Sequence, residues 1–537
     1  MVSASEAQPT LILSLLRPEA YPHPVGAIEL IETHISWVLL TGRFAYKIKK
    51  PINLGFVQAA SLSQRQHYCQ EELRLNRRLA PKLYLGVVPV VGPEEEARIL
   101  SDDIAFESGQ SGTVIETAVK MRQFQPQKLL GKLLTKGAIE TKQLTALAWD
   151  LGHFHQSAIP AASDSRLGSP DQVCEPVFTN LDVLKRLACK ADQQQLLSRH
   201  CHWVEQQQQQ LRQRFATRQR HGAIRECHGD LHCSNIHLTS QGHLEVFDSI
   251  DFNPSLRWID PISEMAFLVM DLQTLGHQEQ AIDLLNAWLE CTGAYDGMDL
   301  WPWYHAYRAM VRAKVSAIQA EQCIDPQRKQ GLLQDLDRYL NTACTNERQA
   351  RGGLVLMHGL SGSGKSTISQ QLCTSLGAVR IRSDRERARA FTSTATHPAR
   401  YSGNRYRQEV NSWLFETQLP QLAEHCLMSG FHVIIDATFL RRHERHTMAA
   451  VAQRLDRPQA IVACHCAEIT AQTRINQRQE RGNDPSEADS AVRERQKRWL
   501  EPLDTDEQKR TVFADETTSF AAINTALAKL LQTKDDA

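Results

Sequence analysis

The stretch Leu354-Val355-Leu356-Met357-His358-Gly359-Leu360-Ser361-Gly362-Ser363-Gly364-Lys365-Ser366-Thr367 decides the fold of the C-terminal part of this chain. The apolar run Leu354 to Met357 reads as a buried strand, and Gly359 to Ser366 fits the spacing G-x-x-x-x-G-K-[ST]. Glycines are needed there because the backbone must wrap a phosphate closely and point successive N–H groups inward. Gly359, Leu360, Ser361, Gly362, Ser363, Gly364, Lys365, Ser366 and Thr367 are therefore the candidate nucleotide-binding loop. Lys365 can reach the β- and γ-phosphates, and Ser366 can ligate Mg2+.

Working downstream, strand-like runs alternate with helices: Ala378 to Arg382, Val433 to Asp436, Ala460 to Cys464 and Thr511 to Ala514. That alternation is the signature of a parallel sheet with crossover helices. The second strand runs into Ser383-Asp384-Arg385-Glu386-Arg387. A carboxylate at the C-terminal end of a strand faces the phosphate site of a doubly wound sheet. Asp384 is thus a candidate base toward a substrate hydroxyl, with helix N-capping as its competing role. Arg387, about one helical turn on, is a candidate for holding an anionic substrate. Asp436 ends the buried strand Val433-Ile434-Ile435 and is a candidate Mg2+ ligand. Arg474, Arg478 and Arg481 share one helix face before Gly482-Asn483-Asp484, as a lid over a transferring phosphoryl group requires.

Upstream the pattern changes. Residues 30–125 read as short strands with one helix: His34 to Leu40, a turn at Thr41-Gly42-Arg43, Phe44 to Lys49, a helix over Ser63 to Leu79, and a strand over Gly112 to Phe124. From about 126 to 345 the chain is mostly helical, the Gln206 to Gln210 run included, with one strand-like island at Ile236 to Ile250. Leu332, Leu333, Leu336 and Leu340 fall on one face of a closing helix, assigned to this helical lobe. The expected organisation is a domain over 1–345 (small lobe about 30–125, helical lobe about 126–345), a linker at 346–352, and a P-loop domain over 353–537.

A second motif, His228-Gly229-Asp230-Leu231-His232-Cys233-Ser234-Asn235, precedes the strand Leu244-Glu245-Val246-Phe247-Asp248. A carboxylate five residues before an amide, followed by a strand ending in Asp, can build a phosphoryl-transfer site. Asp230 would orient or deprotonate a hydroxyl, and Asn235 and Asp248 would hold Mg2+, with Asp251 competing for the role of Asp248. This reading places His228 and His232 in the loop rather than in a zinc site.

On these motifs the chain has two resemblances. From about 352 to 535 it resembles small P-loop kinases of the zeta-toxin, polynucleotide-kinase and gluconate-kinase type, through GLSGSGKST, SDRER, VIIDATF and RINQRQERGNDPSEAD. The resemblance implies phosphorylation of a hydroxyl with ATP and Mg2+, Asp384 as base, Arg387 on the substrate, Asp436 near magnesium, and Arg474 and Arg478 in the lid. Residues of about 30 to 345 resemble aminoglycoside-phosphotransferase-like kinases, a branch of the protein-kinase fold, through HGDLHCSN and the strand ending in Asp248. That implies a phosphate-binding lysine on the strand Tyr46 to Lys50. Lys47 and Lys49 point to one face; Lys49 is favoured, with Lys47 as the alternate, and Glu72 or Glu71 as ion-pair partner. Asp260 is implied to brace the catalytic loop. One departure is that no G-x-G-x-x-G loop precedes the lysine strand, only Thr41-Gly42-Arg43. The expected fold class is therefore α/β and α+β, a bilobal kinase-like domain followed by a P-loop parallel sheet with flanking helices.

The charge balance narrows the partners. Across 537 residues, 61 Lys+Arg meet 61 Asp+Glu, so there is no global basic excess of the kind that coats nucleic acid or an anionic membrane. No run of 18 apolar residues reads as a membrane span. Thirteen scattered cysteines, mostly in apolar stretches and without a CxxC, fit a reducing cytoplasmic compartment. Locally, Arg380, Arg382, Arg385, Arg387, Arg389, Arg400, Arg405 and Arg407 stand against Asp384 and Glu386, which favours an anionic acceptor. Two other readings use the same residues: a polynucleotide 5′-end kinase, thinly supported by Phe391, Tyr401 and Tyr406, and a P-loop ATPase switch regulating an N-terminal binding module.

Overall fold

The computed structural model describes residues 9–53, 58–101, 113–162, 164–188, 190–345, 352–392, 399–481 and 489–532. They gather into two compact units, Met1–Gln143 with Ala158–Ala161 and Ile224–Asp260, and Leu144–Ser157 with Ala162–Ala223 and Pro261–Ala537. The 346–352 boundary thus falls inside the second unit, and residues 346–351 lie outside the described residues.

In the first unit, β1 (Glu29–Glu32), β2 (Ser36–Leu40), β3 (Phe44–Lys49), β4 (Tyr84–Val91), β5 (Arg98–Ile99) and β6 (Val114–Arg122) form one antiparallel sheet in the order β1-β2-β3-β6-β4-β5. Gly42, at φ 87°, sits in the tight turn between β2 and β3, where Thr41 N–H donates to Phe44 O at 2.9 Å. The period of two along β3 sorts its residues between two cores. Phe44, Tyr46 and Ile48 join Ile12, Leu15 and Tyr21, whereas Ala45 joins Cys69, Tyr84, Val119 and Met121. Lys47 and Lys49 share the face of Ala45, on the side of the helix Leu62–Asn76. Ser61 and Gln64 close a capping box at the start of that helix.

The same unit holds β7 (Arg225–Glu226), β8 (Ile236–Leu238), β9 (Leu244–Val246) and β10 (Trp258–Ile259), paired as β7 with β10 and β8 with β9. The β8–β9 hairpin pairs Ile236 with Val246 and Leu238 with Leu244. Phe247 N–H donates to Asn235 O at 2.9 Å, and Ile250 N–H to His228 O at 3.1 Å. This register brings the end of β9 beside the His228–Asn235 loop.

In the second unit, β11 (Leu354–His358), β12 (Val379–Arg382), β13 (Val433–Asp436), β14 (Gln459–Cys464) and β15 (Thr511–Ala514) form a parallel sheet in the order β12-β13-β11-β14-β15. All five residues of β11 and all four of β13 are buried, as a sheet covered on both faces requires. Each such Val, Leu or Ile contributes roughly 1.5–3 kcal/mol by leaving water. The expected strands and the P-loop position hold to within a residue or two. The helix Ala191–Arg220 contains the glutamine run, and Pro326–Thr345 buries Leu336, Tyr339 and Leu340 against the helices Trp301–Gln322 and Ala191–Arg220.

Strand β12 lies at the sheet edge and is capped by side chains rather than by another strand. From the helix Gln278–Thr292, Asn286 Nδ2 donates to Ala378 O at 2.9 Å, and Arg380 N–H donates to Asn286 Oδ1 at 2.7 Å. Tyr295 Oη donates to Arg380 O at 3.0 Å. Ala378 O and both main-chain groups of Arg380 are thereby satisfied, where an open edge would offer a template for another strand. Among the described residues, no helix is long and apolar enough to cross a membrane.

Candidate active sites

The loop after β11 is shaped by its glycines. Gly359 has φ 134°, and a Cβ there would lie 2.4 Å from Cys464 O. Gly362, at φ 84°, would meet Ala471 O at 2.9 Å. Ser361 N–H donates to Gln496 Oε1 at 2.8 Å, and Arg493 donates to Ser361 O. Both partners come from the helix Ser490–Trp499. Lys365 opens the helix Lys365–Leu376 and donates from Nζ to Leu360 O at 2.8 Å. Burial lowers its pKa from the ordinary lysine value.

Next to the loop is a cavity of about 400 Å3, lined by Lys365, Ser366, Asp384, Arg387, Asp436, Arg474 and Arg478 among others. These are the sequence-derived candidates of the P-loop part, brought together from β11, β12, β13 and the helix Glu468–Arg481. Arg481's side chain and residues 482–488, the rest of the expected lid, lie outside the described residues. The helix Ser383–Arg389 has Arg382 at its N-cap, so Asp384 is already inside the first turn rather than capping it. Ser383 Oγ donates to Asp436 O at 3.1 Å, fixing the two strand ends together. Asp436 is buried, and its Oδ2 has no hydrogen-bond partner; Arg382 Nε stands 3.8 Å from it. The Asp436 carboxylate and Ser366, which line the same cavity, offer hard oxygen donors of the kind that suit Mg2+.

Arg387 is 6% exposed, and burial lowers its pKa. Its Nη1 donates to Asn411 Oδ1 at 2.5 Å and to Arg405 O at 3.3 Å, its guanidinium lies 4.7 Å from the Tyr406 ring centre, and its Nε has no hydrogen-bond partner. Arg474 Nη1 donates to Gly362 O at 3.3 Å. Sequence reasoning missed Gln496 and Arg493, which hold the loop, and Asn411, Arg441, Glu444 and Trp499, which line the cavity. They lie outside the motif, and only the fold brings them to it.

The arginine-rich stretch is engaged internally. Arg382 and Arg385 each reach Glu290 Oε1 at 2.8 Å, and Arg380 reaches its Oε2 at 3.5 Å. Arg389 pairs with Glu386 at 3.0 Å and donates to the carbonyls of Glu290 and Cys291 at 3.1 Å. Arg400 and Arg407 lie over the Tyr401 ring, and Arg405 over Phe391.

In the first unit, Lys47 Nζ stands 2.9 Å from Glu72 Oε1 and 2.5 Å from Asp248 Oδ1. Lys49 Nζ stands 2.5 Å from Glu72 Oε2 and 2.6 Å from Asp251 Oδ2. The two lysines therefore share Glu72, while Glu71 pairs with Arg74 and Arg257. The pairs differ in access: the Asp248 side chain is 45% exposed, whereas that of Asp251 is 5% exposed. Burial opposes the charge of Lys47, but Asp248 and Glu72 overcome it and hold its pKa well above the ordinary value. Burial also pushes Glu72 upward; Lys47 and Lys49 reverse this and hold it at about 2. Asp248 has φ 67°, a left-handed conformation that is uncommon outside glycine. Its N–H donates to Tyr84 Oη at 3.1 Å.

Asn235 Nδ2 donates to Asp230 O at 2.9 Å and to Asp230 Oδ2 at 3.0 Å, which leaves its Oδ1 for other partners. His228 accepts Asp230 N–H at Nδ1 (3.3 Å), so its Nε2–H donates to Phe247 O (2.9 Å). His232 accepts Ser234 N–H at Nδ1 (3.2 Å), and its Nε2 stands 3.4 Å from Asp230 Oδ2. Both histidines thus brace the loop around Asp230. Asp260 is buried at the end of this segment.

The lysine–glutamate strand and helix and the Asp230–Asn235 loop form one ionic constellation in the first unit, and the parallel sheet with its glycine loop gives the second unit the architecture of a P-loop nucleotide-binding fold. Residues 354–503 match the AAA domain family. The chain is 30% identical over 452 residues to Uncharacterized protein Rv2004c of Mycobacterium tuberculosis (strain ATCC 25618 / H37Rv), covering 83% of this chain and 85% of that protein. The chain belongs to the family of that protein. Among solved structures, it is similar to a choline/ethanolamine kinase family protein from Mesorhizobium loti (14% identity, 60% of this chain and 93% of that chain, TM-score 0.33). It is also similar to a gluconokinase from Sinorhizobium meliloti 1021 (22% identity, 34% of this chain and 95% of that chain, TM-score 0.24).

Proposed function

We propose that the P-loop part transfers the γ-phosphate of ATP to a hydroxyl of a small anionic acceptor. The observation that carries this is one cavity lined by Lys365, Ser366, Asp384, Arg387, Asp436, Arg474 and Arg478. In this reading the loop N–H groups and Lys365 hold the β- and γ-phosphates, and Ser366 and Asp436 would hold Mg2+. Magnesium, when bound, offsets charge on the phosphate oxygens. Asp384 takes the acceptor's hydroxyl proton, Arg387 holds the acceptor's anionic group, and Arg474 and Arg478 face the phosphoryl group. An acceptor larger than the cavity, such as a polynucleotide, is less favoured, because the arginines of 380–407 are engaged with Glu290, Glu386, carbonyls and rings. The domain division near 346–352 stays part of this proposal as a boundary between two folds.

The N-terminal part is proposed as a second ATP·Mg2+ site, with Lys47 on the phosphates, Glu72 orienting it, Asn235 and Asp248 toward the metal, and Asp230 toward an acceptor hydroxyl. Lys47 is preferred to Lys49 because its partner Asp248 is the exposed one of the two aspartates. The test is the full chain with γ-labelled ATP and a panel of phosphorylated and carboxylated metabolites, run beside Lys365→Ala, Asp384→Asn and Asp230→Ala. Acceptor-dependent label transfer that disappears in Lys365→Ala and Asp384→Asn but persists in Asp230→Ala supports the P-loop assignment. ATP consumption that no acceptor stimulates, and that Asp384→Asn leaves intact, refutes it in favour of a hydrolytic switch.

A further inference from the structure

Glu444 lies outside the motifs. It sits in the first turn of the helix Arg442–Arg454, which follows β13, and it lines the same cavity as Asp384 and Arg387. Its side chain is buried, yet among the described residues its carboxylate receives one hydrogen bond, from Arg441 N–H to Oε2 at 3.3 Å. The cations around it are engaged elsewhere. Arg445 is bound to Glu507 at 2.7 and 3.0 Å, His443 stands 3.6 Å from Glu416, and the Arg441 guanidinium lies 5.1 Å from the Trp499 ring centre. Burial raises the Glu444 carboxyl above its ordinary pKa, and the hydrogen bond and these cations reverse that only in part. A buried carboxylate with one long hydrogen bond and no ion pair among the described residues is under-satisfied, and the space that it lines is the cavity.

Arg387, the candidate for the acceptor's anionic group, lies in the field of two carboxylates, Asp384 and Glu444. Besides the candidate base, the acceptor end of the cavity therefore holds one guanidinium and one carboxylate. A ligand with negative charge alone satisfies Arg387 but brings that charge toward Glu444. A ligand that also carries an ammonium satisfies both, because its N–H groups and its charge complete Glu444 through charge-assisted hydrogen bonds. We propose that Glu444 determines the class of acceptor: the P-loop site takes a zwitterionic hydroxyl compound, with its anionic group at Arg387 and its ammonium at Glu444. This rests on the reading of the P-loop site given above and narrows its anionic acceptor to one with a compensating cation. In the transfer, the acceptor's hydroxyl oxygen bonds to the γ-phosphorus of ATP as the β–γ bridging P–O bond breaks. ADP leaves with that electron pair, and the hydroxyl proton passes to Asp384. Hydroxy amino acids and amino sugar acids are the simplest compounds of this class.

The test is label transfer from γ-labelled ATP by the full chain, read as kcat/KM on matched acceptors, counting only the part absent from Lys365→Ala. The sets are L-serine with 3-hydroxypropionate and ethanolamine, L-homoserine with 4-hydroxybutyrate and 3-aminopropanol, and D-glucosaminate with D-gluconate. The first compound of each set carries both charges, and its partners lack one of them. At least one zwitterion is expected to exceed each of its partners by roughly tenfold or more, since a buried polar group left unpaired penalises the analogue that lacks its partner. In Glu444→Gln, that factor over the desamino partner falls roughly tenfold, chiefly through KM. Glutamine supports the same bond from the N-cap N–H, so a purely structural role for Glu444 leaves the factor unmoved. Equal or better transfer to the desamino partners, no transfer to any zwitterion, or a factor unmoved in Glu444→Gln overturns the proposal. The wild-type comparison decides by itself if the variant does not fold. Transfer to the desamino acids alone refutes this inference and leaves the P-loop reading standing. ATP consumption that no acceptor stimulates, and that Asp384→Asn leaves intact, refutes both.

Discussion

Replacing Asn286 by Ala removes the cap from the edge of the P-loop sheet. The carboxamide makes two bonds to β12, to Ala378 O at 2.9 Å and from Arg380 N–H at 2.7 Å. Both main-chain groups are then buried without these partners, and each such group costs about 1–3 kcal/mol. The sum is about 2–6 kcal/mol, and water entering the space vacated by the side chain brings the expected loss to about 2–4 kcal/mol. In a urea titration of the full chain, the transition of the second unit moves to lower urea with its slope unchanged. Hydrogen exchange followed on a peptide spanning residues 379–382 gives the local reading. Protection there falls roughly 30- to 900-fold, the same free energy expressed as an opening equilibrium. Because Tyr295 Oη still donates to Arg380 O at 3.0 Å, the strand stays attached and β13 stays folded. Unchanged protection with a midpoint shift below about 0.5 kcal/mol would refute the view that this side chain stands in for a neighbouring strand.

Asp230→Asn is expected to leave ADP binding to the first unit within about twofold while abolishing transfer there, since Asp230 acts on the acceptor hydroxyl; calorimetry beside a transfer assay decides, and loss of binding would reassign Asp230. Lys49→Ala is expected to destabilise the first unit by about 3–5 kcal/mol, by leaving buried Asp251 without its cation. Lys47→Ala should cost nucleotide affinity first and stability less; thermal melts with and without nucleotide that show the reverse order would exchange the two roles. Glu226 supplies the pH dependence. Burial raises its pKa, but Arg74, Arg78 and Arg257 overcome this and hold it at about 2, below the ordinary 4.5. A depressed carboxylate contributes stability that is fully present above about pH 4.5 and is lost as pH falls through about 2. Urea titrations between pH 6 and 2.5 should show that loss in the wild-type chain and a flatter profile in Glu226→Gln.

How far the sequence could be read depended on whether each signal was local. Gly359, Gly362 and Gly364 announce themselves because only glycine suits their positive φ values. Asp384 and Asp436 were legible because a strand end in a doubly wound sheet has a known facing. Lys47 and Lys49 could not be separated by pattern, since a period of two puts both on one face. Their difference lies in Asp248 and Asp251, some two hundred residues away. Glu71 and Glu72 are adjacent, and only the helix's rotation turns Glu72 toward the lysines. The basic stretch 380–407 read as an open anionic-acceptor patch, whereas Glu290 takes three of its arginines. Nothing near Glu290 in the chain marks it, because its meaning comes from a helix packed along a sheet edge. The same contact places the helical segment and the parallel sheet in one compact unit, although the composition changes sharply between them.

The grip of the helix Ser490–Trp499 on Ser361, through Gln496 on its N–H and Arg493 on its carbonyl, has a thermodynamic consequence. Arg493 is tied in turn to Glu468, at the head of the helix that carries Arg474 and Arg478. A loop whose peptide groups are held from outside cannot change its curvature around a phosphate at no cost to its holders. Coupling of this kind is reciprocal: whatever free energy nucleotide gains from a settled helix, the helix gains from nucleotide. The amides of 490–499 should therefore exchange more slowly with ADP present, and less so in Gln496→Ala.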